Sequence, residues 1–271
     1  MAANDRHAAL VDQLTDGIAD LTSSDRWRRY LDFQGRFHRY SAGNVLLILA
    51  QCPDATRVAG FRAWRSHDRV VRKGERAIWI LAPMVRPRSG DDSDDERAVC
   101  GFKWVPVFDV SQTDGGELPS VCRPLSGDDG VADFARLVDI ARLLGFRVED
   151  HRFEGPTNGD CCHGRRRIRV EVARSPSQRL KTLAHELAHA ILHETVEDLS
   201  VAELEAESTA YVVCAHLGID TAEYTFGYVA TWAGGGGAAI AAIKASCDRI
   251  QRAADVIVGS LSTAVSDGPC D

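Results

Sequence analysis

The sequence predicts an α+β protein in two parts: N-terminal helices with a small antiparallel sheet, then a second mixed domain built round a helix able to hold a metal ion. Three observations predict it. Hydrophobic spacing starts at the helical period, shortens to the strand period near residue 69, and is helical again from 131. Residues 111–130 (SQTDGGELPSVCRPLSGDDG) are dense in Gly, Pro, Ser and Asp, as a connecting segment is. His185-Glu186-Leu187-Ala188-His189 stands inside a stretch of helical spacing. A chain of 271 residues has room for two domains of ordinary size.

The elements follow in order. Leu10, Leu14, Ile18 and Leu21 place a helix over 5–21, and Trp27, Tyr30, Leu31 and Phe37 place a second over 25–38. Gly43-Asn44 breaks the pattern before an apolar helix at 44–51. Segments 69–72, 77–82 and 98–108 are rich in Val, Ile, Trp and Phe and read as strands, with a polar loop at 86–97. The first domain is thus 1–115, and 116–130 is the linker. The second, 131–258, opens with a helix at 131–145 that ends at Gly145, followed by strands at 147–152 and 167–172. Ser175-Pro176-Ser177-Gln178 is a helix start: Ser175 caps, Pro176 takes the first position and Gln178 completes a capping box. That helix runs to about His193. Others cover 201–217, 224–232 and 238–258, the last two separated by Gly234 to Gly237, and 259–271 is a flexible tail.

Composition excludes some classes. No run approaches the ~18–20 apolar residues of a membrane span, and the N-terminus carries Asp5 and Arg6 where a secretory signal has an apolar core. Eight scattered cysteines without a Cys-x-x-Cys pair read as reduced thiols, which places the chain in the cytoplasm. Charge is unevenly shared. Between Arg26 and Arg88 fourteen basic residues meet four acidic ones, a net +10 inside a chain of net −7. Such a block points to a polyanion, most often nucleic acid. Arginine interleaves with aromatics at 27–30, 61–65 and 76–79, a pattern suited to single strands, whose bases stack on aromatic faces. The same tryptophans, Trp64, Trp79 and Trp104, read equally well as the core of a small sheet.

The metal reading rests on helical geometry. His185 and His189, four apart, share a face and reach one ion. Glu186 adjoins them as general base. Leu180, Leu183, Leu187 and Ile191 form the opposite, core-facing stripe. A catalytic zinc needs a third protein ligand. His193 shares the face but lies about 6 Å further along, which makes it an outer group or a surface residue. The next helix offers Glu203, Glu205 and Glu207. Glu207 is the expected ligand, because Ala210, Tyr211 and Cys214 put it on a small and apolar stripe where an unpaired carboxylate is costly. Glu203 lies one turn earlier on that face, and Glu205 points away. One Zn2+ per chain, held by His185, His189 and Glu207, would activate water toward a peptide carbonyl. Tyr211, Tyr224 and Tyr228 are candidate oxyanion donors.

Two resemblances follow. HELAHAILH with Glu207 and Tyr211 resembles the ImmA/IrrE metallopeptidases over 130–258. That likeness implies a zincin-like domain and proteolysis, in several members of a DNA-bound repressor. Tyr40 to Ile48 (YSAGNVLLI), Val58 to Trp64, Val71 to Glu75 (VRKGE) and Phe108 to Thr113 (FDVSQT) resemble the N-terminal domain of the ArdC anti-restriction family over 5–115. It implies non-specific single-stranded DNA binding, in proteins of mobile elements, and a zincin-type domain behind it. Tyr40, Asn44, Arg62, Trp64, Arg72 and Lys73 are the expected DNA contacts, and the acidic loop 91–96 is expected to repel DNA locally. The leading reading is therefore a single-stranded-DNA-binding, anti-restriction-like protein with a zinc peptidase domain and a peptide or protein substrate. Competing with it are a protective DNA-binding protein whose metal is structural, and a repressor-cleaving protease whose first half recruits substrate.

Overall fold

Helices α1 (Ser24–Arg36), α2 (Ala42–Gln51) and α3 (Phe61–Ser66) alternate with strands β1 (Val58–Ala59), β2 (Arg69–Val71), β3 (Ile78–Pro87), β4 (Arg97–Asp109) and β5 (Thr113–Gly115) in the first part of the chain. The second part contributes α4 (Asp129–Leu143), β6 (Arg147–His151), β7 (Gly159–Cys162), β8 (Arg167–Glu171), α5 (Pro176–Leu192), α6 (Leu199–His216) and α7 (Gly237–Thr263). This is the α+β class the sequence predicts. The computed structural model describes residues 9–12, 15–16, 18, 21, 23–37, 39–87, 97–116, 129–219 and 237–263. The helix expected at 224–232, the acidic loop 91–96 and most of the linker lie outside the described residues. Helix α7 continues to Thr263, into the segment expected as a tail, and the remainder of that segment lies outside the described residues.

Two compact units divide the chain, one of Met1–Gly17 with Gly43–Pro119 and one of Ile18–Ala42 with Ser120–Asp271. In the first unit β4 pairs antiparallel with both β1 and β3, and β2 pairs with β5. Period two sorts the long β3–β4 ribbon into faces. Ile78, Ile80 and Val107 are buried on one. Trp79, Leu81 and Pro83 stand opposite Pro106, Trp104 and Phe102 on the other, where Phe102 is 65% exposed.

The residues that carry the ArdC resemblance hold this unit together. Asn44 donates to the Leu81 carbonyl and accepts from the Leu81 N–H, both at 2.8 Å, so its amide acts as a strand partner for β3. Asp109, 1% exposed, accepts from the backbone N–H groups of Thr56, Arg57 and Ser111. Gln112 closes the capping box by accepting from the Asp109 N–H at 2.9 Å. Trp64 is buried and donates its indole N–H to the Phe108 carbonyl at 2.9 Å. Gly74, at φ +93°, makes the turn after Lys73 in a conformation that side chains disfavour.

In the second unit β8 lies between β6, parallel to it, and β7, antiparallel. Helix α5 packs on this sheet and on α6. Its start is the predicted one: Ser175 accepts from the Gln178 N–H, with Pro176 at the first position. The Gln178 side chain departs from the capping box and donates to Thr182 instead. Helix α1, read from sequence as part of the first domain, packs within this unit against α6. Trp27, Tyr30 and Leu31 are fully buried there, and the Trp27 indole N–H donates to Ser208 at 2.9 Å.

Candidate metal centre

Helix α5 carries His185, Glu186 and His189, and α6 carries Glu203, Glu205 and Glu207. Nε2 of His185 and Nε2 of His189 are 3.1 Å apart. Glu203 faces both, with Oε2 at 3.4 Å from His185 Nε2 and Oε1 at 3.5 Å from His189 Nε2. His185, His189 and Glu203 form a group whose ligand atoms all lie within 4.8 Å of one another. Two imidazole nitrogens and a carboxylate are the donors zinc takes, and a tetrahedral ion with bonds of about 2.0–2.1 Å holds its ligands about 3.3 Å apart. The separation of the two ring nitrogens is close to that edge, and Glu203 sets one oxygen near each of them, so these residues fit a metal ion.

Glu207, the ligand expected from the sequence, occupies another place. Its Oε2 lies 3.2 Å from Nδ1 of His185, and its Oε1 lies 3.2 Å from Lys181 Nζ. One imidazole thus spans both carboxylates: Nε2 toward Glu203, Nδ1 toward Glu207. The burial argument does not by itself single out one of the three glutamates, because α6 is buried on nearly every side from Leu204 to Cys214, so no single stripe marks its inner face. Of the three α6 glutamates the deepest is Glu205, 1% exposed, and it meets His193 rather than His185 or His189.

Charge and burial set the proton affinities. Burial pushes the Glu186 carboxyl up to about 7; negative Glu203 and Asp160 add to this and His185 opposes it. Burial depresses His185, but hydrogen bonds to Glu203 and Glu207 outweigh it and raise the ring to about 9. The same bonds from His185 and His189 hold Glu203 well below the usual carboxylate range. For Glu207, burial acts upward and is outweighed by His185 and Lys181. Burial, with Glu186 nearby, pushes the Cys161 thiol up to about 12, so it stays protonated near neutral pH. Tyr211 donates its hydroxyl to Asp32, which engages it away from the oxyanion role. Tyr224 and Tyr228 lie outside the described residues.

Strand β7, unannounced by any alternating apolar pattern, brings Gly159 against Glu186. A Cβ at Gly159 would stand 2.5 Å from Thr182 Cγ2, 2.9 Å from Glu186 Oε1 and 3.0 Å from the Arg169 carbonyl. Gly159→Ala is therefore expected to push strand from helix and displace the carboxylate, at a cost of about 1–3 kcal/mol. A thermal melt unchanged from the parent protein would refute this close approach.

The expected DNA contacts fare unequally. Trp64 and Asn44 are committed to the fold, as described above. Arg72 is engaged by Glu75 at 2.8 Å, by Asp114 at 3.5 Å and by the Ser111 carbonyl. Tyr40 lies in the second unit, edge-on to Phe37. Arg62 and Lys73 are exposed on the first unit.

The family described as the N-terminal domain of anti-restriction factor ArdC matches residues 6–108, and the IrrE N-terminal-like domain, Peptidase_M78, matches residues 137–217. The chain joins an ArdC-type N-terminal domain to an IrrE-like domain. Among relatives, an uncharacterized protein of Bacillus anthracis is 26% identical over 267 residues, covering 81% of this chain but only 45% of its own length. Crystal structures of the antirestriction ArdC protein from plasmid R388, metal-free and Mn(II)-bound, share its fold at 21% identity and TM-score 0.51. The metal-free one covers 83% of this chain and 86% of its own, the Mn(II)-bound one 82% and 84%. No helix among the described residues of this ArdC-like chain is long and apolar enough to cross a membrane.

Proposed function

We propose that this chain is a single-stranded-DNA-binding, anti-restriction protein of the cytoplasm. Its second domain holds one Zn2+ between His185, His189 and Glu203 and cleaves a peptide or protein substrate with Glu186 as general base. The observation that carries the peptidase half is the ligand triangle with a buried carboxyl beside it. When bound, the ion polarises a carbonyl and acidifies water. Glu186 takes a proton at a carboxylate oxygen and passes it to a leaving amine, a task its raised affinity near neutrality suits. Glu207, held by Lys181, orients the His185 ring from the far nitrogen, as carboxylates do behind metal-bound histidines. Residues 18–42 cluster with the second unit, so the DNA-binding module is drawn without them and the metal-binding module with them.

The DNA half is supported by the ribbon. One face carries the exposed Phe102 and the half-buried Trp79 and Trp104, with same-face neighbours along a strand about 6.6 Å apart, a spacing that bases of an extended strand can follow. Arg76 and Trp79 also border a cleft of about 620 Å³ with Leu10 and Cys52. Fluorescence titration of the full chain with oligothymidylate and with duplex, at several salt concentrations, tests this. Lys73→Ala and Arg62→Ala are each expected to lower the salt slope by about 0.7 if they meet a phosphate. Phe102→Ala is expected to weaken binding by about 1–3 kcal/mol with the slope unchanged. Equal affinity for duplex, or none for either at low salt, rejects the single-strand reading.

A further inference from the structure

With both Nε2 atoms turned toward Glu203, each histidine has a second ring nitrogen to satisfy. For His185 a carboxylate does this directly. For His189 the partner is another histidine: Nδ1 of His189 lies 3.0 Å from Nδ1 of His193, one helical turn on. Two ring nitrogens at that distance share a single proton. His193 is 8% exposed, and its Nε2 lies 3.2 Å from Oε2 of Glu205. Glu205 is gripped in turn by Arg249 of α7, whose Nε lies 2.8 Å from Oε2 and Nη2 2.6 Å from Oε1, and by the Ser246 hydroxyl at 2.5 Å.

The inventory of donors and acceptors orders this chain. Glu205, ionised between Arg249 and Ser246, only accepts, so His193 donates to it from Nε2. Arg249 and Ser246 hold the carboxylate in place beneath the His193 ring. A neutral ring that donates from Nε2 accepts at Nδ1, so the proton between the two histidines belongs to His189. His189 then keeps its hydrogen on Nδ1, so the nitrogen left to give up its proton to Glu203 and ligate a metal is Nε2. We propose that His193 and Glu205 are positioning residues that lock His189 in its metal-binding tautomer and orientation. The inference rests on the reading of His185, His189 and Glu203 as ligands.

The two arms are unlike. A Lys181-backed carboxylate touches His185 directly, whereas His189 is reached through an imidazole anchored on α7. The metal face of α5 is thereby tied to a helix that supplies no ligand.

The test is metal affinity of the full chain, by competition between the protein and a chromogenic chelator for Zn2+, with the visible spectrum of the Co2+-loaded chain as second readout. His193→Phe keeps the ring volume and removes both nitrogens; it is expected to weaken Zn2+ binding 10–100-fold and alter the Co2+ bands. His193→Gln restores an acceptor and a donor and is expected to stay within a few-fold of the parent. Should His193→Phe fail to fold, His193→Asn, polar but too short to reach His189, takes its place with the same expectation. Unchanged affinity and Co2+ bands in a folded His193→Phe or His193→Asn chain overturn the proposal, and so does a His193→Gln chain as weak as either. His189→Ala separates the two readings: full Zn2+ occupancy there rejects the metal centre itself. Loss of metal there, with His193 variants unaffected, rejects only the positioning role.

Discussion

Glu203→Ala is expected to purify without metal, while Glu207→Ala still binds it at about 10–100-fold lower affinity. The difference comes from which ring nitrogen each carboxylate addresses. Glu203 sets Oε2 3.4 Å from His185 Nε2 and Oε1 3.5 Å from His189 Nε2; without it two nitrogens remain, too few for a stable site. Glu207 stands behind His185 at Nδ1, and its loss frees that ring to turn and leaves Lys181 without its carboxylate. Glu186→Gln completes the set: the ligands remain, so metal content is expected to be normal, while any hydrolysis falls by about 10²–10⁴-fold. Elemental analysis after dialysis against a weak chelator reads the first two, and peptide turnover by the metal-replete chain reads the third. Full occupancy in Glu203→Ala with an empty Glu207→Ala would return the third ligand to Glu207.

The contrast between those two glutamates also marks how far the sequence reaches. Spacing alone brings His185, Glu186 and His189 to one face, because a helix has one period and its start at Ser175-Pro176 is written in residues. Choosing among Glu203, Glu205 and Glu207 needs the rotation of α6, and a helix buried almost all round carries no pattern from which to read it. Glu205 could not be recognised as the buried carboxylate because its partners, Ser246 and Arg249, lie more than forty positions away. Strand β7 escaped because Gly-Asp-Cys-Cys has neither alternation nor β-branched residues, yet it supplies the glycine that makes room for Glu186. In the first unit the sequence does not separate residues that hold the fold from residues that face solvent. The motif residues stand out in sequence, but Asn44, Trp64 and Asp109 spend their polar atoms on backbone groups. The aromatic exposed most, Phe102, stands outside every motif.

Trp27→Ala is expected to destabilise the second unit, although residue 27 lies some ninety positions before that unit's main segment begins at Ser120. The side chain is fully buried and its N–H is bonded to Ser208, one residue beyond Glu207 on α6. Truncating a buried tryptophan costs about 3–5 kcal/mol, and for a unit of this size each kcal/mol lowers the melting temperature by about 2–4 °C, so a drop of about 6–20 °C follows. Trp27→Phe keeps most of the volume and loses the hydrogen bond, for a cost nearer 1 kcal/mol. The first unit has its own counterpart in Trp64→Ala, where α3 loses the buried indole that donates to the Phe108 carbonyl of β4. Added Zn2+ tells the two apart, because a ligand stabilises only the fold that binds it. The transition that rises with Zn2+ is the one Trp27→Ala should lower; Trp64→Ala should lower the other. A Trp27→Ala chain that loses only its metal-insensitive transition would return α1 to the first domain. By the same reasoning a fragment of residues 1–120 is expected to expose Trp27, Tyr30 and Leu31 and to bind a hydrophobic dye. DNA affinity is therefore better measured on the full chain than on its basic half.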